Sequence, residues 1–126
     1  MKITSFDPMI VSSNAKGIVS LFEELGFEVK HAPVTSTEVE NVCVSRMKDA
    51  NGFHVDVADS PVQERDETSI RMNVDNFEET YELLKSHGFT NTRGDGTIDL
   101  KTSRSASLIS PSGFKIVIIK HIKSES

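Results

Sequence analysis

The feature that most constrains this chain is that it repeats itself. Leu25-Gly26-Phe27 recurs as His87-Gly88-Phe89, 62 residues later. Asn51-Gly52-Phe53 recurs as Ser112-Gly113-Phe114, 61 residues later. Val11, ahead of the first amphipathic stretch, matches Val74 ahead of the second, at a spacing of 63. Gly-Phe pairs are common, so the near-constant spacing carries the argument rather than the letters. A chain of 126 residues has room for one domain. The repeat therefore predicts one domain, 1–126, made of two copies of a single supersecondary unit, at about residues 1–60 and 69–122.

Each copy reads strand, helix, then three strands. In the first, residues 3–11 are extended, with Ile3, Met9 and Val11 on one face and Thr4, Phe6, Pro8 and Ile10 on the other. A helix follows, with Ser12, Ser13 or Asn14 as N-cap and Ile18, Leu21, Phe22 and Leu25 as its apolar stripe. Gly26 ends it in a left-handed position that penalises a Cβ. Residues 27–32, 40–48 and 53–58 are the next strands, with Asn51-Gly52 as the hairpin signal between the last two. In the second copy Ile70, Met72 and Val74 alternate with Ser69, Arg71 and Asn73, the pattern of a half-buried strand. Asp75 and Glu78 resemble a capping box, Phe77, Tyr81 and Leu84 share a helical face, and Gly88 closes the helix. Strands at 89–93, 100–109 and 114–122 complete it, with a turn at 94–96 and a frayed polar tail at 123–126.

Charge and cysteine content exclude several functions. Fourteen Lys and Arg against nineteen Asp and Glu leave a net charge of −5, so the basic footprint of a nucleic-acid or anionic-membrane binder is absent. The single cysteine, Cys43, cannot form an intramolecular disulfide, which fits a reducing cytoplasm. It lies in an apolar strand with no adjacent base and reads as a small inert residue. Asp7 and Pro8 interrupt the stretch where a signal peptide needs an apolar core. The longest apolar run, residues 116–119, is far too short to span a bilayer.

A duplicated βαβββ unit with these turns resembles the vicinal oxygen chelate superfamily, which includes glyoxalase I, extradiol dioxygenases and bleomycin-resistance proteins. The resemblance runs from Ile3 to Ile122. Its motifs are Val11-Ser12 leading into a helix that ends Leu25-Gly26-Phe27-Glu28-Val29, and the stretch Arg46-Met47-Lys48-Asp49-Ala50-Asn51-Gly52-Phe53-His54-Val55-Asp56. That stretch resembles the family's hairpin of type R-x-x-D-P-x-G-x-x-x-E, and Ser110-Pro111-Ser112-Gly113 resembles the same turn in the second copy. The resemblance implies an α+β fold, two tandem βαβββ modules forming curved mixed sheets around a cleft. It also implies a homodimer, since bleomycin-type members usually pair.

The family's enzymes hold a divalent metal with one side chain from the first and last strand of each unit. Carried onto this chain, those positions fall on Phe6, Asp56, Ser69 and Val117. Only Asp56 donates well, because phenyl and isopropyl groups have no lone pair and a neutral hydroxyl is a weak ligand. The resemblance therefore implies no metal and no other cofactor here.

Period-two alternation places His54, Asp56 and Ala58 on one face, with Phe53, Val55 and Val57 opposite. Lys115, Val117, Ile119 and His121 share a face of the last strand. Alternation does not decide between Arg46 and Met47. His54 and Asp56 could act as a general base pair, as two metal ligands, or as a plain polar pair. Arg71 could grip a carboxylate or phosphate with its planar fork, or form an ion pair with Asp56 or a neighbouring acid. The ligand-binding set expected is Phe6, His54, Asp56, Ser69, Arg71, Asn73, Lys115 and Val117.

The function expected is metal-independent binding of a small organic anion, in the manner of the bleomycin-resistance proteins. The alternative is a glyoxalase-like lyase or isomerase, or another metal enzyme of the superfamily, using a divalent ion on a ligand set such as His54, Asp56 and His121. Beyond a small molecule and a second copy of itself, neither nucleic acid nor membrane is an expected partner.

Overall fold

Residues 1–35, 43–94, 96–99 and 103–121 are described by the structure, a computed structural model. The predicted strand residues 40–42 and 100–102, the turn residue Asp95, Ile122 and the tail 123–126 lie outside the described residues. The chain forms two compact units. One comprises Asp7–Thr68, the other Met1–Phe6 together with Ser69–Ser126. The first six residues thus belong with the second repeat, a division that the repeat boundaries did not predict.

The Asp7–Thr68 unit takes in most of β1 (Ile3–Ser12), then α1 (Ala15–Glu24), β2 (Glu28–Thr35), β3 (Cys43–Lys48) and β4 (His54–Asp59). Its sheet order is β2-β3-β4-β1, with β1 parallel to β4 and the other neighbours antiparallel. Asn14 is the N-cap of α1. Its backbone N–H donates to Ser12 Oγ at 2.9 Å, and that hydroxyl donates to Asp66 at 2.7 Å. The helix covers one side of the sheet, where Ala15, Met47, Val55 and Val57 form a buried core. Ile10, Ile18, Val19, Phe22 and Phe27 pack around it.

The second unit repeats this plan with β5 (Glu67–Val74), α2 (Phe77–Ser86), β6 (Thr90–Asn91), β7 (Ile98–Asp99), β8 (Ser103–Ile109) and β9 (Lys115–His121). Its order is β5-β9-β8-β6, again with the outer helix-leading strand parallel to the last one. The predicted strand at 89–93 shrinks to two residues, and the short β7, which periodicity gave no sign of, also pairs with β8. The core against α2 holds Met72, Val74, Phe77, Ala106, Leu108, Ile116 and Ile118. The N-cap is Asn76, whose side chain accepts the Glu79 N–H at 3.1 Å. That shifts the expected Asp75–Glu78 capping pair by one residue. Asp75 instead accepts the Lys2 N–H, and the Met1 ammonium meets Glu79 at 2.8 Å.

Matching hydrogen bonds confirm the duplication. Phe27 N–H donates to Phe22 C=O at 2.9 Å and Gly26 N–H to Glu23 C=O at 3.1 Å. Phe89 and Gly88 repeat both bonds onto Leu84 and Lys85. These are Schellman caps, with the glycines at φ 105° and 88°. The hairpin turns match as well. The Asp49 side chain accepts from Phe53 N–H at 2.8 Å, and Ser110 Oγ accepts from Phe114 N–H at 2.9 Å. Among the described residues no helix is long and apolar enough to cross a membrane.

Candidate functional site

In each unit a helix covers one sheet face, so chemistry is sought on the other. In the Asp7–Thr68 unit that face is fixed by register. Met9 lies beside Asp56 and Val11 beside Ala58 in the parallel pair. Across the hairpin, Arg46 opposes Asp56, Val44 opposes Ala58 and Lys48 opposes His54. His54 and Asp56 therefore share the expected face, while Val55 and Val57 meet the helix. The Arg46–Met47 alternative is resolved. Met47 is buried in the α1 core and Arg46 points the other way.

The first strand departs from expectation. Ile10 is aligned with Val57 and packs on the α1 core, so Met9 and Val11 take the opposite face. Alternation then puts buried Asp7 with Met9, and Phe6 with Pro8 and Ile10. Phe6 is 60% exposed and does not occupy the inherited ligand position. The error came from matching Val11 to Val74. A uniform spacing of 62, the one given by Gly26 and Gly88, pairs Asp7 with Ser69 and would have found it.

Arg46 Nε stands 3.6 Å from Asp56 Oδ1. That distance makes an ion pair rather than a hydrogen bond. The two side chains differ in surroundings, for Asp56 is buried and Arg46 is about a third exposed, at 32%. His54 is exposed, and among the described residues no hydrogen bond or ion pair joins it to Asp56. A general-base pair needs that contact.

A cavity of about 350 Å³ opens beside this pair, lined by Lys30, Arg46, Met47, Lys48 and His54. Lys30 lies opposite Arg46, at an irregularity in β2. Val29 pairs with Met47 and His31 with Arg46, so Lys30 is the extra residue of a bulge. Of these residues only His54 was expected from sequence, because neither the bulge nor the β3 register is visible in the alternation.

In the other unit, Arg71 and Ser107 flank Val117, and Asn73 and Ser105 flank Ile119. This helix-free face carries Ser69, Arg71, Asn73, Lys115 and Val117, as alternation predicts, together with Ser103, Ser105 and Ser107. The serines were missed although their period of two along β8 was a legible signal. Ser69, Arg71, Ser103, Ser105 and Val117 are buried, Arg71 at 1% exposure. Ser69, Arg71, Ser105 and Lys115 are each engaged by other groups of the chain. Asn73 Oδ1 is buried and finds no hydrogen-bond partner among the described residues.

The inherited positions do not fit a divalent metal. Judged by itself, the second unit offers Ser69 and Val117, a neutral hydroxyl and an alkyl group. The first offers Asp7 and Asp56, and Arg46 already opposes Asp56. Among the described residues no three His, Cys, Asp or Glu side chains gather into a metal-holding group. His121 lies exposed at the end of β9.

No family profile and no curated protein matches the chain. Solved structures do. A glyoxalase/bleomycin resistance protein/dioxygenase superfamily member from Vibrio splendidus aligns over 96% of this chain and all of its own, with 14% identity and a TM-score of 0.59. A methylmalonyl-CoA epimerase variant from Streptomyces coelicolor, bound to 2-nitronate-propionyl-CoA, aligns over 94% of this chain and 98% of its own at 13% identity and TM-score 0.66. A glyoxalase I variant from Zea mays aligns over 98% of this chain but 46% of its own, at 10% identity and TM-score 0.69. At such identities the likeness concerns the fold, which is that of the glyoxalase/bleomycin resistance/dioxygenase superfamily.

Proposed function

We propose that this chain, which has the glyoxalase/bleomycin resistance/dioxygenase fold, binds a small organic anion without a metal, as a bleomycin-resistance-like capture protein. The observation that carries the reading is Arg46. Its guanidinium is held on the helix-free face by charge attraction to buried Asp56, yet remains a third exposed beside an open cavity. A planar fork in that position recognises carboxylate or phosphate oxygens. On the helix-free face of the second unit Ser69, Arg71 and Val117 are buried, so the reading rests on the Asp7–Thr68 unit. Arg71 is less suited to gripping the anion than Arg46, because it is buried and already engaged.

The reading includes a cytoplasmic location, where lone Cys43 stays reduced, and a homodimer. Calorimetric titration with small carboxylates and phosphates in the presence of a chelator tests the function. Saturable binding that persists without metal is the expected result. Stoichiometric Zn²⁺, Mn²⁺ or Ni²⁺ binding that His54→Ala abolishes would instead favour a lyase or isomerase of the same superfamily.

A further inference from the structure

We infer that the cavity on the β2–β3–β4 face binds a phosphate group, so that the anion captured is a phosphate monoester rather than a simple carboxylate. This rests on the reading that the chain binds a small anion, and it adds the ligand's chemistry and the residues that select it.

The argument is one of donor number and direction. A carboxylate presents two oxygens in one plane, and a single arginine fork satisfies it. A phosphate monoester presents three strong acceptor oxygens and close to two charges at neutral pH. The cavity supplies basic groups from three adjacent strands: Lys30 on β2, Arg46 and Lys48 on β3, and His54 on β4. Four basic groups spread over three strands offer more donors than a planar carboxylate can accept, and suit a group with three acceptor oxygens. Register carries Lys30 to the set: Glu28 opposes Lys48 and Val29 opposes Met47, so the next β2 residue, Lys30, lies opposite Arg46, where the bulge seats His31 as well.

Charge points the same way. Three permanent cations line the cavity, and the opposing acids are Asp56, against Arg46, and Glu28, against Lys30 at 2.9 Å. The Lys30–Glu28 pair is exposed on both sides and is easily exchanged for a ligand oxygen. Among the described residues Lys48 has no ion pair. A chain of net charge −5 that gathers these cations around one small cavity concentrates positive potential there against its own background. At about 350 Å³ the space falls at the small end of ligand pockets and suits a compact molecule.

The test is a titration of the full chain, in chelator, with inorganic phosphate, phenyl phosphate and benzoate, followed by calorimetry and by amide chemical shifts. Phenyl phosphate is expected to bind at least about tenfold more tightly than benzoate, since its extra oxygens and charge recruit the lysines. Lys30→Ala and Lys48→Ala, both at exposed positions that leave the fold intact, should each weaken phenyl phosphate by about three- to tenfold and benzoate much less. Shifts should centre on Lys30, Arg46, Lys48 and His54. Equal binding of the two probes, or lysine variants that bind phenyl phosphate unchanged, would overturn the phosphate assignment while leaving anion capture standing. Failure of all three probes to bind would overturn both.

Discussion

Arg46 and Asp56 oppose each other across the β3–β4 hairpin at 3.6 Å, the carboxylate 2% exposed and the guanidinium 32%. The burial of Asp56 makes Arg46 a positioned cation, and the exposure of Arg46 keeps it within a ligand's reach. The pair therefore has opposite sensitivities on its two sides. Asp56→Asn removes the competing charge and should raise affinity for inorganic phosphate by about three- to tenfold. Arg46→Ala should abolish measurable binding and, by taking a partner from a buried carboxylate, cost about 1–3 kcal/mol in urea denaturation. Weaker phosphate binding by Asp56→Asn would mean that the carboxylate orients Arg46 more than it competes for it.

The two Schellman glycines separate conformational strain from crowding. A methyl group at Gly26 would meet nothing within 4 Å, whereas one at Gly88 would lie 3.1 Å from Pro111 Cγ. Both residues have positive φ. Gly26→Ala is expected to cost about 1 kcal/mol from backbone conformation alone, and Gly88→Ala measurably more. Thermal melts of the two variants side by side check the order.

Asn76→Ala removes the α2 N-cap and should lower stability by about 1 kcal/mol, while Asn14→Ala, whose side chain makes no capping bond, should cost less. Denaturant unfolding with unchanged m-values would confirm that the difference lies in the native state.

A homodimer is the expected solution state. Sedimentation at tens of micromolar, an order-of-magnitude test range, should give twice the chain mass, and a monomer alone would remove that element of the reading.

The repeat, both helices, both caps at Gly26 and Gly88, and the inward faces of β4, β5 and β9 were legible in the sequence, because each rests on local alternation or turn chemistry. What was lost depended on pairing. In β1 both faces carry a mixture of apolar and polar residues, so nothing in the strand itself separates Met9 from Ile10. Only its register against Asp56 and Val57 does so. Arg46 was undecided for the same reason, and Lys30 was missed because its place opposite Arg46 depends on the β2–β3 register. Arg71 was placed on the correct face, but alternation says nothing of how deeply a side chain is buried or what else engages it.

Met1–Phe6 belongs with residues from Ser69 onward, held in that unit by the exchange of hydrogen bonds between Lys2 and Asp75. The ancestral copies therefore cannot be recovered by halving the gene at its repeat boundary. A fragment beginning near residue 61 would lack the segment that meets Asp75 and Glu79, and would expose backbone groups that the intact chain satisfies. The same six residues make the chain forgiving of a nick. Cleavage between Pro61 and Arg65 should yield two fragments that co-elute under native conditions, because the first still carries a piece of the other's fold.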